Sequence, residues 1–110
     1  MISKTCMDKD QVYREDISAG ISRIEEFVGG MSFDQFKTDA KTQSSCLMQF
    51  IVIGESVNKL SEAFTSARPQ IAWREIIATR NIIIHQYTKV DMALVWHTIV
   101  TDLPLLKKSL

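Results

Sequence analysis

Cys46, Phe50, Ile53, Val57, Leu60 and Phe64 recur at alternating spacings of four and three. An α-helix brings residues spaced this way onto one face, so the run predicts a long amphipathic helix. Leu47, Ile51 and Gly54 lie beside the stripe and widen it. A widened stripe suits a bundle helix, or one shared between a core and a subunit interface. Gly54 costs about 1 kcal/mol in a helix interior. Close approach of another backbone at that point would account for it.

The same periodicity runs through the rest of the chain. Ile17, Ile21, Ile24 and Val28 mark one face of an earlier helix, which Gly29-Gly30 should stop, since glycine takes the left-handed C-cap conformation cheaply. Ser32 followed by Gln35 fits a capping box, with Phe33 and Phe36 pinning a short turn to the core. After Pro69, the residues Trp73, Ile76, Ile77, Ile83 and Ile84 outline a third long helix. Ile82-Ile83-Ile84 would also suit a buried strand, and only the helical context favours a helix there. Thr88-Lys89-Val90 reads as a break, with Asp91 as the next N-cap. A last helix carries Leu94, Val95, Ile99, Leu103 and Leu106; Pro104 should kink it, or restart it with Asp102 as a new cap. The expectation is an all-α, up-and-down bundle of about four or five helices, forming one domain over residues 1–110.

Charge and cysteine content narrow the function. Thirteen Lys and Arg balance thirteen Asp and Glu, so the chain is not built around non-specific nucleic-acid binding. A local basic cleft is still allowed. Cys6 and Cys46 are too few and too isolated for a disulfide framework or a zinc site, and Cys46 reads as a reduced core residue. No His/Asp/Glu cluster has metal-ligand spacing, so no metal or other cofactor is expected. The N-terminal stretch has no apolar run of signal-peptide length, and no later run can span a bilayer. The expected setting is cytoplasmic.

Chemistry concentrates in Arg80-Asn81-Ile82-Ile83-Ile84-His85-Gln86-Tyr87. On a helix, Asn81 and His85 share a face, whereas Arg80 and His85 lie roughly 140° apart. One helix therefore makes no obvious paired site. Two copies meeting across a dimer axis can bring both arginines and both histidines into one cleft. Such a set suits metal-free RNA cleavage, in which a 2′-hydroxyl attacks the adjacent phosphorus. Histidine, with an ordinary pKa of about 6.5, can take or return a proton, and arginine can hold the phosphate through two oxygens. Asn81 can orient the imidazole. By spacing alone, Arg80 and His85 are more simply a solvated helix face or a satisfied buried pair. Tyr87 fits an interfacial aromatic, His97 beside Trp96 a packing or surface histidine, and Glu55 with Lys59 four residues on an exposed ion pair.

The motif and its flanks resemble a known family. Arg80-Asn81-x-x-x-His85 is similar to the signature of the HEPN superfamily, and Arg80-x4-His85-x-Tyr87 to its HepT toxin branch. The resemblance covers nearly the whole chain. It takes in Ile24-Glu25-Glu26-Phe27, Ser32 to Phe36 and Lys41-Thr42-Gln43. It continues through Ile53 to Leu60, Pro69-x-Ile71-x-Trp73-Arg74-Glu75-Ile76, Val95-Trp96 and Asp102-Leu103-Pro104. Ser56 and Gln86 depart from the pattern, where alanine and glutamate are common.

The resemblance implies a helical homodimer that cleaves RNA without a metal at a composite interface cleft, as the toxin of a bacterial type VII toxin–antitoxin pair. It implies catalytic roles for Arg80 and His85 and a supporting one for Asn81. Tyr87 becomes the acceptor of AMP from a minimal nucleotidyltransferase antitoxin of the MntA kind. Glu55 and Lys59, on the helix expected to face the motif, are candidates for a supporting role. The alternative is a helical-bundle subunit that holds a nucleotidyltransferase and has little nuclease activity of its own.

Overall fold

The computed structural model describes the backbone of residues 4–110 and the side chains from Lys9 onward; Cys6 lies outside the described side chains. Every regular element among the described residues is helical. Helix α1 (Lys4–Val28) ends at Gly29, whose φ of 50° is the left-handed conformation expected of a helix stop. Helix α2 (Phe33–Phe36) begins with the anticipated capping box: Ser32 Oγ accepts from the Gln35 N–H, and Gln35 Oε1 accepts from the Ser32 N–H.

Helix α3 (Ala40–Lys59) carries most of the apolar seam, starting from an Asp39 cap not anticipated in the sequence. The Thr42 N–H donates to Asp39 Oδ1 and holds that carboxyl below its usual pKa. The seam is not one helix to its end. Leu60 turns extended, and Phe64, its last member, sits on the separate helix α4 (Glu62–Ser66). Asp10 causes the break from 51 residues away: its carboxylate accepts from the Ser61 N–H at 2.9 Å and the Ser61 hydroxyl at 2.7 Å. Ser61 Oγ in turn caps α4 by accepting from the Phe64 N–H. Phe64 is then enclosed by two arginines, with Arg68 3.6 Å and Arg14 5.4 Å from its ring centre.

The stretch that left strand or helix open is helical, as α5 (Trp73–His85). A 3₁₀ turn (Tyr87–Lys89) follows, and Asp91 caps α6 (Met92–His97) as expected. Asp102, the cap expected if Pro104 restarts the last helix, stands at the N-cap position of a new α-helical segment but makes no side-chain capping bond. Instead the backbone widens into one π turn (Thr98–Asp102), and α7 (Leu103–Lys108) continues with proline in its first turn.

α1 and α5 both pack along α3, and α7 returns against α1. Ile17, Ile21 and Ile24 of α1 meet Phe50 and Ile53 of α3, Ile76 and Ile83 of α5, and Val95, Leu103 and Leu106 in one core. Each such side chain contributes about 1.5–3 kcal/mol by leaving water. Cys46 is buried there as a free thiol, and burial pushes its pKa up to about 11. No described helix is long and apolar enough to cross a membrane.

Candidate active site

Arg80 lies two-thirds of the way along α5, on the side that faces α3. Its stem crosses α3 at Gly54. A Cβ built on Gly54 would stand 2.5 Å from Arg80 Cγ and closer still to Arg80 Cβ. Glycine is therefore needed to admit a side chain, and not the neighbouring backbone that the sequence led us to expect. Sunk this far, Arg80 Nε is buried with no hydrogen-bond partner among the described residues. An unpaired buried donor costs about 1–3 kcal/mol, so the packing of the stem overrides a local penalty.

The guanidinium emerges from this seat between two acceptors. One terminal nitrogen donates to Asn81 Oδ1 at 2.8 Å, and the other lies 3.4 Å from Glu55 Oε1. The Arg80 side chain is 22 % exposed, so the group is gripped along its length but open at its tip. Glu55 is bound to Arg80, and the expected Glu55–Lys59 ion pair is not formed. Lys59 instead lies 5.9 Å from the Tyr13 ring centre on α1, away from the motif. Asn81 likewise faces Arg80, and among the described residues it makes no hydrogen bond to His85.

His85 is the last residue of α5 and is exposed. The chain then leaves the helix, with the Gln86 N–H closing on Ile82 O at 2.8 Å, and Tyr87 follows with half its surface open. The sequence motif thus divides into a gripped arginine, a free imidazole one turn and a half further on, and an accessible phenol. Arg80, Asn81 and Glu55 are brought together within one chain, whereas His85 and Tyr87 make no bond to them among the described residues. Met48 and Val52 on α3 and Ile84 on α5 are exposed apolar residues. Val52 is one helical turn from Glu55 and Ile84 one turn from Arg80, so the polar group has apolar neighbours on both helices.

Glu55 is the member that spacing alone assigned to another partner. Its true partner is 25 residues away, and the available signal was the glycine next to it in the sequence. Among the described residues no three His, Cys, Asp or Glu side chains are placed to hold a metal ion.

Comparison with known proteins gives this arrangement a family. A family model described as ribonuclease HepT-like matches residues 17–110. A protein of Thermococcus cleftensis named "Probable ribonuclease HepT" is 38 % identical over 86 % of this chain and 86 % of its own length. A protein of Caldanaerobacter subterraneus subsp. tengcongensis named "Putative RNase TTE0752" is 30 % identical over 94 % of this chain and 92 % of its own. No solved structure matches. With the family model spanning Arg80, His85 and Tyr87 and every helix from the second half of α1 onward, the chain belongs to the HepT-like ribonuclease family.

Proposed function

We propose that this chain is the metal-independent endoribonuclease toxin of a type VII toxin–antitoxin pair, acting as a homodimer and silenced by AMP addition to Tyr87. The observation that carries the reading is the seating of Arg80. Its stem is locked by Gly54 and its tip is held by Asn81 and Glu55, on the helix that ends at an exposed His85. A guanidinium fixed in this way can bind a phosphate through two oxygens with little further loss of side-chain freedom.

Arg80 and His85 point to different sides of α5, so one chain does not converge them on a single phosphorus. A second copy related by a two-fold axis supplies the missing half. The apolar residues Met48, Val52 and Ile84 beside the arginine give such a contact surface to bury. In the resulting cleft one His85 takes the proton of a ribose 2′-hydroxyl as its oxygen attacks phosphorus. The P–O5′ bond breaks, the leaving oxygen receives a proton from the other His85, and a 2′,3′-cyclic phosphate remains. Arg80 neutralises the charge building on the non-bridging oxygens.

Tyr87, two residues from His85, supplies the control. Its hydroxyl attacks the α-phosphorus of ATP on the antitoxin and displaces pyrophosphate. The added nucleotide places bulk and negative charge at the mouth of a cleft that must accept a polyanion. Cleavage of RNA by the unmodified chain, lost in His85→Ala, is the test of this reading. An inert, well-folded chain favours a subunit that only holds the nucleotidyltransferase.

A further inference from the structure

A groove of about 390 Å³ runs between α5 and the stretch from α6 into the π turn, separate from the Arg80 seat. Ala78, Ile82 and Leu94 give it apolar walls, and Glu75, His97 and Asp102 supply its polar groups. Thr79 and Thr98 also line it, but their hydroxyls are spent on the carbonyls of Glu75 and Leu94. The π turn shapes the polar side. In an α-helix, residues five apart are separated by roughly 140° around the axis. Where the bonds run over five residues, as from Leu103 N–H to Thr98 O, residues five apart stack. His97 and Asp102 thereby share the face that looks into the groove.

The groove also leads to the motif. Ala78, Ile82 and His85 follow one another at spacings of four and three, so they form a single stripe along α5. The end of the groove at Ile82 therefore lies one helical turn from His85 on the same side of α5.

The charge of the groove selects its occupant. Glu75 and Asp102 repel phosphate, so the RNA backbone does not enter. Asp102 is half-buried, burial raises its carboxyl pKa, and among the described residues no donor bonds it. Its oxygens are open to the groove and can accept N–H groups, with apolar walls on either side and the His97 imidazole close by. Glu75, His97 and Asp102 are not placed to hold a metal ion. A flat aromatic ring with N–H donors on one edge meets all of these conditions, and in a nucleic acid that is a base.

The bases differ on that edge. Guanine presents two adjacent donors, N1–H and the 2-amino group, which match the two oxygens of one carboxylate. Its O6, beside N1–H, can accept from an imidazole N–H. Adenine and cytosine place a ring-nitrogen acceptor next to their amino group, and uracil sets its single N–H between two carbonyls, so each meets a carboxylate with repulsion. We propose that the groove holds a guanine of the RNA substrate, read by Asp102 and His97, beside the phosphodiester that His85 attacks. The proposal deepens the ribonuclease reading and rests on it for the identity of the substrate.

Two measurements separate the groove from the reaction. The first is titration of the full-length, isotopically labelled chain with guanosine, inosine, adenosine and cytidine, followed by amide shifts at Ala78, Thr79 and Thr98. Guanosine should move these signals, inosine, which lacks the 2-amino group, should bind about tenfold more weakly, and adenosine and cytidine should leave them in place. Asp102→Asn should weaken guanosine about tenfold with no change in the unfolding midpoint. The second is cleavage of oligoribonucleotides with one guanosine, inosine or adenosine at each position. The wild type should cut next to guanosine, and Asp102→Asn should lose that preference while still cutting. Equal response to all four nucleosides, silence of the groove, or an unchanged cleavage preference in Asp102→Asn overturns the guanine site. If guanosine occupies the groove and no RNA is cut, the base site stands and the ribonuclease reading fails.

Discussion

Gly54 on α3 and Arg80 on α5 form a lock: the arginine stem occupies the space that any Cβ at position 54 would need. The contact settles two things together. It sets the distance between α3 and α5, and it fixes the direction in which the guanidinium leaves the core. Because the clash reaches Arg80 Cβ, a rotamer change cannot relieve it, and the helices themselves must part. Glu55, the next residue on α3, then meets the arginine tip.

Gly54→Ala should therefore cost stability even though alanine is the better helix former. Overpacking of about 1–3 kcal/mol outweighs a propensity gain of about 1 kcal/mol. Urea unfolding should show a lowered midpoint, and RNA cleavage should fall with it as Arg80 is displaced. Unchanged stability would mean that α3 and α5 separate freely at this point.

Cys46 gives a pH dependence with a definite sign. Its thiol ionises near 9.0 when unfolded and near 11 when folded, because burial disfavours the thiolate. Between these values the unfolded chain loses a proton that the folded chain keeps, so folding weakens as pH rises. This contribution is intact below pH 9 and lost through pH 11, amounting to roughly 2–3 kcal/mol at about 1.4 kcal/mol per pKa unit. In a Cys6→Ser background, urea unfolding at pH 8 and at pH 10.5 should show the loss, and Cys46→Val should reduce it. A thiol reagent should label Cys46 only after unfolding.

Tyr87→Phe should keep ribonuclease activity and escape silencing by the nucleotidyltransferase. Tyr87 is 52 % exposed and bonds to neither Arg80 nor His85 among the described residues, so removal of its hydroxyl leaves their arrangement intact. Mass spectrometry after incubation with the antitoxin and ATP should find AMP on the wild type and none on the variant. Loss of cleavage in Tyr87→Phe would make the phenol part of the catalytic machinery.

What was legible in the sequence was local. The stop at Gly29, the Ser32–Gln35 capping box and the Asp91 cap depend on neighbours within a few residues, and each forms as expected. What was missed depends on partners far away along the chain. The seam breaks at Leu60 because Asp10 captures Ser61, and Glu55 leaves Lys59 because Arg80 arrives at Gly54. Asn81 faces Arg80 rather than His85 for the same reason. Pro104 was visible as a disturbance, but a π turn upstream resolves it, and that turn shapes a groove with no sequence signature of its own. The residues Arg80, His85 and Tyr87 were visible through their spacing and flanks, whereas the lock that orients Arg80 appears only when two helices are set side by side.

The central claim is that two copies of this chain cleave RNA with Arg80 and His85 and without a metal. The most direct measurement is cleavage of a mixed RNA panel, in EDTA, by purified unmodified wild type and His85→Ala, with the dimer established by light scattering. The account predicts cleavage by the wild-type dimer, products ending in 2′,3′-cyclic phosphate, and none from His85→Ala of the same mass and stability. No cleavage by a folded wild-type dimer, a strict need for added divalent metal, or equal cleavage by His85→Ala would contradict it.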